Sequence, residues 1–185
     1  MKSFSTDWFS FHTPHWQELV LPELLKNEAQ RYLEIGTYEG RSACWVAEKL
    51  RDSENAEIHC VDIWANPEIE AAFDANVEDE PRIFKHKESS INWLAKAICN
   101  GDRFDVIYVD GDHQGKAALL DAAMAWPLLR KNGILVFDDY PWRHPETAPV
   151  WKIPPKPGID AFLHLWGHEL TILRSNWQIY VQKAL

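Results

Sequence analysis

Two glycines, five carboxylates and one histidine stand at positions where they could do chemistry. Glu34-x-Gly36-x-x-x-Gly40 follows a short apolar run, Leu33 to Ile35, and precedes a helical pattern. Gly36 lets the backbone turn tightly beside a ligand, where a Cβ would collide. Gly40 would let the helix start close to the strand. The exposed N–H groups of that helix start favour a carboxylate or phosphate, with Thr37 and Tyr38 in the loop between. The spacing is not the GxGxxG of dinucleotide-binding loops. The acid at position 34 would repel a pyrophosphate but could pair with an ammonium group, which points to a ligand carrying an α-amino acid. Asp62 ends the next apolar run, 22 residues after Gly40. That is close to the ~20 expected for a carboxylate that takes ribose hydroxyls.

Asp110, Asp138 and Asp139 each end a further apolar run and should meet at the ends of adjacent strands. Three close carboxylates cannot all stay ionised without compensation, which a cation, a basic side chain or a raised pKa would supply. An all-oxygen set suits Mg²⁺, Ca²⁺ or Mn²⁺ rather than zinc. The other reading is that these aspartates cap the turns that follow them. His113, three residues after Asp110, could deprotonate a hydroxyl near neutral pH, or could only shape its loop. His164-x-x-x-His168 has ligand-like spacing, but Gly167 interrupts the helix and no third ligand accompanies it. His12, His15 and His144 lie in flanking segments and cannot be ranked.

The elements that must position these residues alternate. Helical patterns are expected over Trp16–Glu28, Gly40–Arg51, Pro67–Asn76, Ser89–Ile98, Lys116–Leu129 and Ile159–Trp166. Strands are expected over Arg31–Ile35, Ala56–Val61, Arg82–His86, Phe104–Val109 and Gly133–Phe137. Leu170–Leu173 and Trp177–Val181 would form a terminal hairpin turning at Arg174-Ser175-Asn176. Alternation of this kind implies an α/β fold, a Rossmann-like three-layer sandwich with a mostly parallel sheet and an antiparallel C-terminal hairpin strand. Ligands of such sheets bind at the C-terminal strand ends, where every polar residue named above sits. The stretch Tyr140–Gly158 holds six prolines, Pro141, Pro145, Pro149, Pro154, Pro155 and Pro157, and reads over 141–158 as a lid loop.

A chain of 185 residues, 46% hydrophobic and 25% charged, fits one domain over 1–185, with 1–30 an aromatic and helical N-terminal segment. Its net charge of −9 argues against a nucleic-acid partner, which needs clustered Lys and Arg. A small-molecule acceptor is expected instead. No apolar run approaches the ~20 residues that span a bilayer, and no secretory signal opens the chain, so no membrane partner and a cytoplasmic location are expected. The three cysteines, Cys44, Cys60 and Cys99, read as buried structural thiols. Among 10 tryptophans, Trp8, Trp16, Trp142, Trp151, Trp166 and Trp177 lie in flanking segments, where exposed ones mark binding surfaces.

The runs LEIGTYEGRSACWVAEKL, HCVDIW, FDVIYVDGDH and GILVFDDY resemble the successive motifs of class I S-adenosylmethionine-dependent methyltransferases. They are similar to the small bacterial branch with VDG-x-H and FDD signatures, related to catechol-type O-methyltransferases. The resemblance covers about Tyr32 to Tyr140, and PGIDAF with its hairpin also fits. It implies a seven-stranded sheet and S-adenosyl-L-methionine as cofactor. It further implies that Glu34, Gly36, Thr37, Tyr38 and Gly40 cradle the methionine moiety and Asp62 the ribose, with Ile63 and Ser89 or Ser90 at the adenine. Asp110 would both touch the cofactor and act in catalysis. Catechol-type relatives hold a metal with Asp and then Asp-Asn; here the last position is Asp139, so Asp110, Asp138 and Asp139 form the corresponding candidate Mg²⁺ site. Those relatives carry a Lys base at the offset of His113. The expected reaction is O-methylation of a small molecule, metal-assisted if the site is filled. A nucleotide-dependent oxidoreductase and a cofactor-binding module without turnover are the alternatives. Assembly into a homo-oligomer is left open by the sequence.

Overall fold

The computed structural model describes residues 2–185. Seven strands form one sheet: β1 (Arg31–Ile35), β2 (Glu57–Asp62), β3 (Ile83–Lys87), β4 (Phe104–Val109), β5 (Leu129–Phe137), β6 (Leu170–Ser175) and β7 (Ile179–Lys183). Their order is β3-β2-β1-β4-β5-β7-β6. The first five pair in parallel, and β7 inserts antiparallel between β5 and β6. The expected α/β sandwich with its antiparallel terminal strand is therefore the observed fold.

Strand alternation explains the two cores. Leu33 and Ile35 of β1 and Ile107 and Val109 of β4 face one side, where α3 (Ser90–Asn100), α4 (Gly115–Ala125) and α5 (Pro155–Leu165) cover them. Tyr32, Val106 and Tyr108 face the other, beneath the N-terminal helical segment, α1 (Arg41–Lys49) and α2 (Pro67–Val77). All six residues of β4 are buried, as a central strand covered on both faces requires. The order reverses between β1 and β4, which run away from each other's connections and leave a crevice at their C-terminal ends.

Several boundaries differ from the sequence expectation. The N-terminal helical segment runs from Ser10 to Leu24 rather than over Trp16–Glu28, with a π turn at Trp16–Val20. Pro22 lacks an N–H and crowds the preceding turn, and the wider π turn lies just before it. The helix expected over Lys116–Leu129 ends at Ala125, because Pro127 converts the chain into a single 3-10 turn. β5 begins at Leu129, four residues before the expected Gly133, with a bulge opposite Phe104 and Val106. α5 begins at Pro155 instead of Ile159: a proline costs nothing in a first turn. The Pro-rich loop accordingly ends at Pro154 rather than Gly158. The hairpin turns through Asn176, Trp177 and Gln178, two residues later than expected, so Trp177 is a turn residue. Cys44 and Cys60 are buried, whereas Cys99 is exposed, against the expectation of three buried thiols. No helix among the described residues is long and apolar enough to cross a membrane.

Candidate functional site

A cavity of about 970 Å³ opens at the C-terminal ends of β1, β2, β4 and β5. Gly36 forms its floor. With φ of +80° it occupies a conformation that favours glycine, and a Cβ there would lie 2.0 Å from the Asp110 carbonyl oxygen. Its N–H donates to Val61 (2.9 Å), and the Asp110 N–H donates to Ile35 (2.8 Å). The loop is thus clamped between β2 and β4.

Asp62 locks the same loop. One carboxylate oxygen accepts from the N–H groups of Thr37 (2.9 Å) and Tyr38 (3.0 Å), the other from the Trp64 N–H (2.8 Å). Asp62, Ile63 and Tyr38 line the cavity. Gly40 caps α1 at φ +82°. Its missing side chain makes room for Phe73 of α2, which a Cβ would approach to 2.9 Å, rather than for the strand. Thr37, 3% exposed, and Gly40 do not line the cavity.

Glu34 requires a correction. It shares the strand face of Tyr32, points beneath α1 and is fully buried. Its two oxygens accept from the hydroxyls of Tyr32 (2.7 Å) and Ser42 (2.6 Å). Burial pushes its pKa up to about 8, against the lowering effect of those two bonds. A neutral acid holding the loop's underside replaces the expected carboxylate facing a ligand ammonium.

At the other end of the cavity lie Ser89, the N-cap of α3, and Ser90. Ser90 Oγ donates to Asp121 Oδ1 (2.6 Å). Asp121, on α4, also lines the cavity and is 4% exposed. Burial raises its pKa to about 6. Sequence reading passed over Asp121, although a lone Asp inside the apolar run of α4 was a usable signal.

Asp110, Asp138 and Asp139 do converge, but unequally. Oxygens of Asp110 and Asp139 and a ring nitrogen of His113 all lie within 4.8 Å of one another. Asp138 is not in that group. It turns inward, where the Tyr108 hydroxyl and the Asp139 N–H (2.7 Å) contact it. Asp138 continues the alternation of β5 and so shares the face of Val136 and Tyr108. Asp139 leaves the strand at φ +54° and points to His113 instead. Of the expected set, Asp138 therefore stands apart, and the group that converges is Asp110, His113 and Asp139.

The electrostatics follow from crowding. Burial, then the charges of Asp138 and Asp139, hold the Asp110 carboxyl well above the ordinary carboxylate range. Burial raises Asp138 to about 6. Among the described residues no Lys or Arg pairs with any of the three acids. The Tyr108 hydroxyl lies 3.2 Å from Asp110 Oδ2 and also touches Asp138, and Gln178 Nε2 donates to it (3.3 Å). His113 Nε2 is 3.0 Å from Asp139 Oδ2, and that bond raises the imidazole pKa. Trp177 Nε1 donates to the other Asp139 oxygen (3.2 Å).

The structure adds residues that sequence reading did not assign to the site. His12 is 2% exposed and lies 3.8 Å from Asp138 Oδ1, with no hydrogen-bond partner for Nε2. Burial lowers its pKa to about 4, so it is neutral. Trp8, Phe11, Trp142 and Trp177 rim the cavity. Trp8 packs on Tyr38 at 5.3 Å between ring centroids, and Trp142 packs edge-on against His113 at 4.9 Å. His164 and His168 lie outside the cavity lining.

Known structures share this architecture. An O-methyltransferase from Bacillus cereus, solved in complex with SAH, superposes with a TM-score of 0.74 at 21% identity, over 97% of this chain and 84% of that one. The O-methyltransferase TomG from Streptomyces achromogenes, solved with SAM, gives 0.71 at 18% identity, over 93% and 80%. The MycE methyltransferase of the mycinamycin biosynthetic pathway, solved with Mg and SAH, gives 0.65 at 16% identity, over 97% of this chain and 51% of that one. No curated protein matches the sequence. Residues 33–140, which carry the glycine loop, Asp62, the acid cluster and His113, match the family described as the methyltransferase domain. The crevice at the β1–β4 reversal is therefore built on that family's framework, and the chain belongs to the methyltransferase domain family.

Proposed function

We propose that this chain transfers a methyl group from S-adenosyl-L-methionine to a hydroxyl of a small-molecule acceptor. The observation that carries the reading is the Asp139–His113 pair at the edge of the cavity floored by Gly36. In this reading the backbone around Gly36 receives the methionine end of the cofactor, as does the tyrosine at 38. Asp62 and Ile63 border the ribose, and Ser89, Ser90 and Asp121 the adenine. Glu34, Thr37 and Gly40 act one step back, by holding the loop in shape.

Asp139 fixes the Nε2 proton of His113, which leaves Nδ1 as the proton acceptor. The acceptor hydroxyl gives its proton to His113 as its oxygen attacks the methyl carbon. When bound, S-adenosyl-L-methionine would supply the methyl group and depart as the neutral thioether S-adenosylhomocysteine. The chain supplies alignment and a dry cavity, and the cofactor supplies the leaving group. The aromatic rim of Trp8, Phe11, Trp142 and Trp177 excludes water.

The donor set also fits a divalent cation. Two carboxylates without a Lys or Arg partner, one of them, Asp110, with its pKa held well above the ordinary carboxylate range by burial and acidic neighbours, are what a bound Mg²⁺ would relieve. Asp110 and Asp139 would hold it, with Asp138 kept behind them by Tyr108. Such an ion, when bound, would lower the pKa of an acceptor hydroxyl. Holding by carboxylates alone leaves the His113 imidazole available as base.

Calorimetry with S-adenosylmethionine, S-adenosylhomocysteine and NAD, each with and without Mg²⁺, tests the reading. Binding of both sulfur ligands and not NAD is expected. Binding of NAD alone would remove it.

A further inference from the structure

A second cavity, of about 510 Å³, lies under the Pro-rich loop. Its lining contains Arg143, Lys152 and Lys156 and no acidic residue. That is unusual in a chain with 28 Asp and Glu against 19 Lys and Arg. Lys156 pairs with Asp160 (2.7 Å), but among the described residues Arg143 and Lys152 have no carboxylate within ion-pair distance. His144 Nε2, also in this lining, is buried without a hydrogen-bond partner. The first turn of α5, from Pro155, forms part of the wall and adds the positive end of its dipole.

Trp142 is the wall shared by the two cavities. One side of it packs His113 (4.9 Å) and another packs His144 (4.6 Å). A molecule that presents a hydroxyl to His113 and extends across Trp142 would enter the cationic chamber. Five prolines in the lining and two anchors restrict the loop's freedom: the Gly115 N–H donates to Ile153 (2.9 Å) at its end, and the Tyr140 N–H to Trp177 (3.0 Å) at its start. The chamber is shaped before a ligand arrives.

We propose that this chamber is an acceptor subsite for an anionic group, a carboxylate or a phosphate ester, carried on an aromatic or apolar body that packs on Trp142. The inference rests on the methyl-transfer reading only for the hydroxyl end of the acceptor. Two side chains, Arg143 and Lys152, supply the charge-assisted hydrogen bonds. An acceptor pool so marked would come from reactions that leave a free acid or a phosphate ester on a hydroxylated scaffold.

The test needs no acceptor. The indole N–H resonance of Trp142 is assigned in the full-length protein by its loss in Trp142→Phe. It is then followed by NMR during titration with 3-phenylpropionate, phenyl phosphate and the neutral 3-phenylpropionamide. Either anion is expected to shift it with an apparent affinity at least about five-fold above the amide, since charge-assisted bonds are about twice as strong as neutral ones. The better anion identifies carboxylate or phosphate as the group. The advantage should vanish in Arg143→Gln/Lys152→Gln, two exposed loop positions whose change leaves the core intact. A Trp142 signal unmoved by both anions, moved equally by the amide, or still anion-selective in the double variant would overturn the proposal. S-adenosylhomocysteine, titrated separately, tests the cofactor reading, and its failure to bind would leave the anion result standing.

Discussion

The α-carbon of Gly36 faces the peptide carbonyl of Asp110 so closely that an added methyl would sit 2.0 Å from its oxygen. The two residues directly follow β1 and β4, the strands between which the sheet order reverses. Gly36 and Asp110 therefore set the width of the crevice. Gly36→Ala must part the strand ends or flip the loop, and its φ of +80° adds strain. A loss of at least about 2 kcal/mol in denaturant unfolding is expected. Calorimetry should find S-adenosylhomocysteine weakened by at least about ten-fold, equivalent to ~1.4 kcal/mol.

His113→Gln keeps a polar side chain but removes the base. Turnover on an identified acceptor should fall by about 10²- to 10⁴-fold, the usual range for a general base. Affinity for S-adenosylhomocysteine should change little, because no cofactor contact is assigned to the ring. Turnover within a factor of a few of the wild type would remove the role given to His113.

Mg²⁺ should raise the thermal midpoint of the wild type by relieving the repulsion among Asp110, Asp138 and Asp139. Asp110→Asn/Asp139→Asn should lose that response while gaining stability in metal-free buffer, since two crowded charges disappear. An equal Mg²⁺ response in both proteins would place the ion elsewhere.

Glu34 makes a prediction about pH. Its folded pKa, about 8, lies above the unfolded value of 4.5, so the folded chain binds the proton more tightly. Its stabilising contribution is complete below about pH 4.5 and is lost as pH rises toward 8. In that window the slope for one proton approaches ~1.4 kcal/mol per pH unit. Glu34→Gln should flatten this part of the stability profile measured by urea unfolding. Its Oε1 keeps an acceptor for one of the Tyr32 and Ser42 hydroxyls and its Nε2 can donate to the other, so stability at pH 8 should rise relative to the wild type. An unchanged slope would mean that Glu34 is not the titrating group.

Gly158→Ala tests how the Pro-rich loop is anchored. A Cβ at Gly158 would lie 1.8 Å from the Gly115 carbonyl oxygen, where α5 crosses the start of α4. Prying these helices apart should cost at least about 2 kcal/mol. It should also disturb the Gly115–Ile153 bond that closes the loop. Faster limited proteolysis within 141–154 is expected, and an unaltered cleavage rate would show that the loop does not depend on this contact.

Much of the architecture was legible in the residue pattern. β-branched and aromatic runs ending in Asp or Gly, separated by helical periodicity, indicate parallel strands with polar residues at one end. Boundaries were less legible. Pro127 and Pro155 each moved a helix end, and Pro22 lies inside a helical segment just after a π turn, because a proline is tolerated or disruptive according to its place in the turn, which periodicity does not specify.

At the site, residue type and spacing alone placed Gly36, Asp62, Asp110 and His113 at one end of the sheet. Neighbouring residues of an extended strand face opposite ways, so parity already separated Glu34 from Leu33 and Ile35. Only the folded chain decided what each carboxylate meets. Glu34 went beneath α1 to Tyr32 and Ser42 because that side of β1 is covered by a helix. Asp138 stayed in register with β5 and met Tyr108, while Asp139 broke from the strand at positive φ and met His113. His12, Asp121 and Gln178 joined the site from elements distant in sequence. Local sequence determines conformation and facing along one strand. The partners of a buried charge depend on packing between elements, because desolvation and neighbouring dipoles act over a few ångströms in space and take no account of separation along the chain.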